Sequence, residues 1–155
     1  MSLIKVKEYL KKYNMDNRII EFDTSSATVS LAAKALNCKE EKIAKSLSFK
    51  TKDKVILIVV KGDCKIDNKK YKDEFKEKAH MLPFDEVENL IGHEVGGVCP
   101  FAVNPNVEVY LDNSLKKFDT VFPACGSYNS AIEVTVEELE KTTNFIKWID
   151  VTKEI

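Results

Sequence analysis

The sequence has few of the features that mark exported, membrane-bound or metal-binding proteins. Its longest uninterrupted apolar run, from Val55 to Val60, is far too short to cross a bilayer. The N-terminal stretch MSLIKVKEYLKK lacks the long apolar core of a signal peptide. There are 4 cysteines, but no two are spaced as a CxxC pair, so neither a zinc knuckle nor a dithiol motif is present. We therefore expect a cytoplasmic protein with reduced thiols, no membrane partner, no metal and no organic cofactor.

Neither sign of charge dominates the chain. Its 24 Lys and Arg residues oppose 25 Asp and Glu residues, so the formal net charge is −1. Because DNA-binding domains usually carry a clear basic excess, DNA is not an expected partner, and any contact with RNA must be local. With 155 residues, 44% of them hydrophobic, the chain is long enough for one globular domain that spans residues 1–155.

The common catalytic motifs built on histidine, serine or glycine are also missing. No GxSxG, HExxH, P-loop or GxGxxG pattern occurs, and the 2 histidines do not stand in a recognisable nucleophile motif. Two interpretations of Cys99 remain open. It is either a thiolate nucleophile with His93 as its base, or a small packing residue in the core.

Hydrophobic periodicity predicts strands and helices without a regular βαβ alternation. This mixture favours an α+β domain with a curved, mixed sheet and flanking helices. A capping box marks the start of the last helix at Thr135, because Glu138 follows three residues later. The predicted helices span 2–14, 28–36, 68–78, 84–91 and 135–142. The main predicted strands span 18–22, 43–50, 54–60, 107–111, 119–124 and 131–135, with a further short strand at 79–82.

The stretch from Ile91 to Pro105, IGHEVGGVCPFAVNP, concentrates glycine and proline. Adjacent Gly96 and Gly97 allow positive φ or a close approach to the backbone, and Pro100 restricts the residue before it. A loop of this kind can bind an anion or a carbonyl oxygen through main-chain N–H groups. An ordinary tight turn between a helix and a strand is the alternative.

Two other places supply polar groups that could join this loop. In KIAKSLSFK the alternation puts Lys45 on the same face as Leu47 and Phe49, so the lysine must either reach solvent at a rim or meet an anion. In ACGSYNSAI, amide donors are expected at Gly126 and Ser127, with side-chain donors at Ser127, Asn129 and Ser130. The loops and Lys45 could surround a small polar ligand, although turn chemistry explains each loop separately.

Three segments together resemble a known family. IAKSL, IGHEVGGVCPFAV and LDNSLKKFDTVFPACGSYNSAIEVTVEEL, in this order and spacing, look like the YbaK/EbsC family of aminoacyl-tRNA editing domains, which is related to the insertion domain of bacterial prolyl-tRNA synthetase. The resemblance runs from about Phe22 to Thr142. It implies a mixed, barrel-like sheet with flanking helices. One departure is Ala102, where many relatives have glycine.

The resemblance also implies a site. Lys45 matches the functionally important lysine of the family, Gly96 to Pro100 its GxxxP loop, and Gly126 the glycine of its third motif. Lys45 would hold the terminal adenosine phosphate or the ester carbonyl, while the amides of Gly97, Val98 and Cys99 would receive the amino-acid end and the developing oxyanion. The motifs and the resemblance together give these expected substrate-binding residues: Lys45, Gly96, Gly97, Pro100, Phe101, Gly126, Ser127, Asn129 and Ser130.

The function implied by the resemblance is a freestanding deacylase that hydrolyses the ester of wrongly charged aminoacyl-tRNA, with tRNA(Pro) or a related tRNA as its substrate. Aminoacyl-tRNA is then the partner, and a synthetase is a further candidate partner. A module that binds the aminoacyl end of tRNA, or a small nucleotide, without cleaving it is the alternative from another class. A thiol hydrolase that uses Cys99 is the third.

Overall fold

A mixed β-sheet forms the centre of the fold. The computed structural model describes residues 2–155. The strands are β1 (Ile20–Glu21), β2 (Ile43–Lys50), β3 (Val55–Lys61), β4 (Cys64–Ile66), β5 (Val107–Asp112), β6 (Thr120–Pro123), β7 (Ser130–Ala131), β8 (Val134–Thr135), β9 (Trp148–Ile149) and β10 (Thr152–Glu154).

Six of these strands share one curled sheet in the order β8-β6-β2-β3-β5-β9. The pairs β2–β6, β3–β5 and β5–β9 are parallel, whereas β2–β3 and β6–β8 are antiparallel. Two small antiparallel sheets, β1–β7 and β4–β10, flank it. The predicted α+β class with a curved, mixed, barrel-like sheet is therefore confirmed.

The hairpin of β2 and β3 divides the core into two parts. β3 is buried on both faces, as its continuous apolar run predicts. Leu57 and Val59 point into the larger core cluster, while Ile56, Ile58 and Val60 point into a second cluster on the other face. Because side chains alternate along a strand, one strand can serve both clusters.

Five helices pack around the sheet: α1 (Ser2–Lys11), α2 (Val29–Leu36), α3 (Asn68–Phe75), α4 (Phe84–Ile91) and α5 (Val136–Thr142). The hydroxyl of Thr28 caps α2 by accepting the amide of Leu31, and the predicted capping box of Thr135 and Glu138 is present at α5. Within residues 2–155, no helix is long and apolar enough to span a membrane.

Some predicted boundaries are wrong. Helices α1 and α3 end early, at residues followed by a left-handed backbone at Asn14 (φ 59°) and Lys76 (φ 64°). The predicted strand at 79–82 is reduced to a single bridge between Met81 and Phe49. The predicted strand at 131–135 is split into β7 and β8. Strands β9 and β10 are not among the predicted elements. These short segments are extended by pairing with other strands and not by a local sequence pattern.

Candidate functional site

A cavity opens where strand β2 loses its neighbour in the sheet. β6 pairs with β2 only at Ile43 and Ala44. The next main-chain bond on that edge runs from the amide of Leu82 to the carbonyl of Ser48, with an N···O distance of 3.1 Å. The gap between these contacts forms one side of a cavity of about 360 Å³, which α2, α4 and the loop after α4 enclose.

Apolar side chains form most of the cavity wall. Lys45 is the only charged residue among those that line it in the described part of the chain. Five of the lining residues carry hydroxyl groups, of which that of Ser46 is shielded: Ser26, Thr28, Ser46, Ser48 and Ser130. A cavity with apolar walls and a few polar groups is typical of a small-molecule site.

Lys45 is half-buried at the gap, whereas Lys50 at the end of the same strand is exposed. Burial lowers the pKa of Lys45, and the neighbouring acidic groups of Cys64, Asp63 and Glu40 oppose that shift. Among residues 2–155 its ammonium group makes no ion pair or hydrogen bond. Its charge is therefore available to a ligand.

The glycine-rich loop contributes Gly96 and Val98 to the cavity wall. Gly96 has a φ of +96°, and a Cβ there would lie 3.1 Å from the Cβ of Ala27, so glycine is needed for both reasons. Val98 is half-buried, and its amide has no acceptor among the described residues. This amide is a free donor beside the cavity.

Gly97 has a different part from the one predicted. Its amide donates to the carbonyl of Glu94 at 3.0 Å, so it is not available to an oxyanion in this conformation. A Cβ on Gly97 would lie 2.5 Å from the carbonyl carbon of Gly126 and from the nitrogen of Ser127. Gly97 therefore allows the second and third motifs to pack directly against each other.

Cys99 and His93 are both fully buried behind the loop. Burial raises the pKa of the Cys99 thiol to about 12 and lowers that of His93 to about 4. His93 Nε2 lies 2.7 Å from the carbonyl oxygen of Phe101, which can only accept, so Nε2 carries the proton. Nδ1 is bonded to the hydroxyl of Ser2. His93 is thus a neutral structural residue with no free nitrogen to take the proton of Cys99.

The same geometry corrects the expected roles of two neighbours. The side chain of Phe101 is fully buried in the larger core cluster, so it cannot contact a substrate in this conformation. Pro100 is also buried and does not line the cavity. Both residues shape the loop from behind.

The third motif is held by its own hydrogen bonds. Ser127 Oγ donates to Asn129 Oδ1 at 3.0 Å and lies 2.7 Å from Ser130 Oγ, and Asn129 Nδ2 donates to the carbonyl of Phe22 at 3.0 Å. Of these residues only Ser130 lines the cavity. Gly126 has a φ of +94° and does not line it. The motif therefore positions Ser130 and supports the loop.

The cavity thus brings together only part of the expected set: Lys45, Gly96, Val98 and Ser130. Ser46 and Ser48 also line the cavity with Lys45, although they were not among the expected site residues. The alternation of KIAKSLSFK places both serines on the face opposite Lys45, so it gives no sign that a cavity at the strand edge would bring them together with the lysine.

A group of potential metal ligands lies elsewhere. Oxygen and sulfur atoms of Asp63, Cys64 and Glu154 lie within 4.8 Å of one another. The ammonium group of buried Lys61 already lies 3.2 Å from the Asp63 carboxylate and 2.9 Å from that of Glu154. These ion pairs compensate the local negative charge, and none of the four residues lines the cavity.

The family model for the aminoacyl-tRNA editing domain matches residues 23–142. The chain belongs to this family. The matched range contains the whole cavity wall and all three motifs, so the resemblance of the motifs is confirmed.

Relatives of this editing domain include proteins of similar and of much greater length. It is 54% identical over 155 residues to an uncharacterized protein, YwhH, from Bacillus subtilis (strain 168), and the match covers 99% of both chains. It is 30% identical over 81 residues to the proline–tRNA ligase of Bacillus cereus (strain AH820). That match covers 52% of this chain and only 14% of the ligase.

The editing domain also shares its fold with solved structures. One of them, proposed as a trans-editing enzyme for prolyl tRNA synthetase, superposes with a TM-score of 0.87 at 26% identity, over 98% of this chain and 97% of the other. The arrangement of strands and helices is therefore common to nearly the whole length of both chains.

Proposed function

We propose that this protein hydrolyses the ester bond of wrongly charged aminoacyl-tRNA as a freestanding editing enzyme. The observation that carries the proposal is the cavity at the β2 gap, which holds an unpaired lysine and a free amide in a chain of the editing-domain family. Apart from Lys45, the walls are uncharged, which suits an uncharged amino-acid side chain. Lys45 supplies the positive charge that would hold a phosphate or the ester carbonyl of the terminal adenosine.

The chemistry requires no side-chain nucleophile. An aminoacyl ester is already activated, so positioning of the ester and a water molecule, together with stabilisation of the oxyanion, would account for catalysis. The amide of Val98 is the loop donor that fits this role, because that of Gly97 is bonded to Glu94 and Cys99 is fully buried. Attack by water at the carbonyl carbon then expels the ribose oxygen of the tRNA, which takes up a proton.

We propose tRNA(Pro), or a closely related tRNA, as the tRNA that is edited. The support is the similarity of about half of the chain to a segment of proline–tRNA ligase and the likeness to a protein proposed as a trans-editing enzyme for that synthetase. A prolyl-tRNA synthetase is accordingly the candidate partner. The net charge of −1 leaves few contacts to the tRNA backbone, so a partner would help to deliver the tRNA.

One observation favours a binding module instead. Among the described residues, neither a histidine nor a carboxylate lines the cavity, so the commonest side-chain general bases are missing from its wall. The same lysine and amide would hold an aminoacyl end without cleaving it. Turnover separates the two functions.

The test is a panel of tRNA(Pro) preparations charged with different amino acids, each incubated with wild-type protein, Lys45→Ala and the matched control Lys50→Ala. We expect the wild type to release at least one amino acid. The Lys45→Ala protein should be slower by about 100-fold, or about 2.7 kcal/mol of transition-state stabilisation. It should stay folded, because the ammonium group of Lys45 makes no ion pair. Lys50→Ala should behave as wild type.

Tight binding of charged tRNA without release of any amino acid would favour the binding module. Release at the same rate by Lys45→Ala and wild type would show that the site lies elsewhere.

A further inference from the structure

Ser46 has main-chain groups that no part of the described chain satisfies. In an extended strand, the N–H and C=O of one residue point to the same edge, and those of the next residue point to the other. The carbonyl of Ser48 and the amide of Lys50 point to the free edge of β2, where they bond Leu82 and His80. Ser46 therefore turns both of its groups to that edge as well.

The edge is empty at this position. The register of β6 with β2 ends at Ala44 opposite Pro123, and Ala124 bridges to Ala131 instead of continuing along β2. Among residues 2–155, no main-chain or side-chain group bonds the N–H or the C=O of Ser46. One donor and one acceptor thus face the cavity side by side.

The side chain of Ser46 adds a second observation. Its Oγ is shielded from solvent and has no hydrogen-bond partner, although the residue as a whole is only half-buried. The accessible part of Ser46 is therefore its main chain and Cβ. Unpaired buried polar groups are rare in folded proteins, and each one calls for an explanation such as strain, a catalytic role or a bound water or ion.

We propose that Ser46 binds the aminoacyl group of the substrate as a one-residue antiparallel bridge. The α-ammonium of the amino acid donates to the carbonyl of Ser46, and the ester carbonyl accepts from its amide, which is how two opposed residues exchange both bonds in an antiparallel pair. This inference rests on the proposed site but not on turnover, since a binding module would use the same bridge. It makes Ser46 a substrate-binding residue next to Lys45.

The bridge has a consequence for selectivity. Directly opposed residues of an antiparallel pair place their side chains on the same face, so the side chain of the amino acid would lie beside the Cβ of Ser46. The free α-ammonium becomes part of what is recognised. Acyl groups that lack it should be bound poorly even when they have the right size and shape.

The test uses two amide-linked adenosines that cannot be hydrolysed as esters: 3′-alanylamino-3′-deoxyadenosine and 3′-propionylamino-3′-deoxyadenosine. They differ only in the α-amino group. Hydrogen bonds to charged groups are worth more than neutral ones, so calorimetric titration of the wild type should show binding of the alanyl compound about tenfold or more tighter than that of the propionyl compound.

A variant separates the two halves of the bridge. Ser46→Pro removes the N–H, which has no partner within the protein, and keeps the C=O. It should weaken the binding of both compounds by a similar factor of about five to ten and leave the ratio between them unchanged. Circular dichroism checks the fold of the variant. If the variant does not fold, the affinities of the wild type for the two compounds are sufficient to test the bridge.

Equal affinity of the wild type for the two compounds, or no binding of either, would overturn the bridge. Tighter binding of the alanyl compound in a protein that releases no amino acid from charged tRNA would support the bridge while refuting the deacylase function.

Discussion

Replacing Cys99 with alanine tests whether the buried thiol takes part in the proposed reaction. With a pKa of about 12, only about one thiol in 10⁵ is ionised at pH 7, whereas catalytic cysteines have lowered pKa values. The nearest base is His93, whose Nε2 lies 3.5 Å from the sulfur but already donates to the carbonyl of Phe101. We therefore expect Cys99→Ala to retain deacylation within about tenfold of wild type, a loss of about 1.4 kcal/mol or less.

The same substitution should be visible in stability. The sulfur is fully buried in the larger core cluster, so its removal leaves a small cavity. Loss of one heavy atom from a packed core costs about 1–2 kcal/mol, which urea unfolding of the variant and wild type can measure. Cys99→Ala should therefore lower the free energy of unfolding but leave turnover nearly unchanged.

Thiol labelling gives a check that does not depend on turnover. Cys38 is half-buried, while Cys64, Cys99 and Cys125 are buried. A thiol reagent at neutral pH should modify Cys38 first, and the other three only in denaturant. A Cys99→Ala protein that binds charged tRNA but has lost all turnover would refute this reasoning, as would rapid alkylation of Cys99 in the native wild type with loss of activity.

Three further predictions concern the loop and its support. Gly97→Val should lower both turnover and melting temperature, because a Cβ at residue 97 would lie 2.5 Å from the main chain of Gly126. A variant with wild-type turnover and melting temperature would contradict the packing of the two motifs. Ala102→Gly should raise the free energy of unfolding by about 0.5–1 kcal/mol, because Ala102 has a left-handed backbone with φ of 54°. A free energy of unfolding below that of the wild type in urea titrations would count against strain at this position. The pKa of His93 is lowered from its usual 6.5 to about 4 in the folded chain. Below pH 6.5 the unfolded chain therefore binds more protons than the folded chain. The contribution of neutral His93 to the free energy of unfolding is complete above pH 6.5 and is lost as the pH falls towards 4. Between pH 7.5 and 5 the free energy of unfolding should fall by about 2 kcal/mol. Urea titrations of a folded His93→Gln protein should show a smaller fall. An equal fall in both proteins would assign the pH dependence to other groups.

The sequence alone determines those elements that depend on local pattern. Alternating and continuous apolar residues predict the β2–β3 hairpin, and the capping box at Thr135 predicts the start of α5. Each of these signals acts within a few residues of chain. The order of the three motifs is likewise visible in the sequence, and it was sufficient to indicate the family.

The tertiary structure alone decides which members of those motifs can meet a ligand. The sequence shows a glycine-rich loop, but only packing shows that Gly97 is used against Gly126, that Cys99 and Phe101 are buried, and that Val98 has a free amide. Only the structure, likewise, shows that Phe84 of α4 lines the cavity while its side chain is 77% exposed. No local rule reports where a neighbouring strand ends.

The gap at Ser46 illustrates the physical reason. It exists because β6 diverges from β2 after Pro123, and these residues are far apart in the chain. Strand pairing over such separations is set by the packing of the whole sheet, which also fixes which edge each main-chain group faces. Candidate site residues could therefore be predicted from the sequence. Which of them line the cavity is determined only when the sheet has formed.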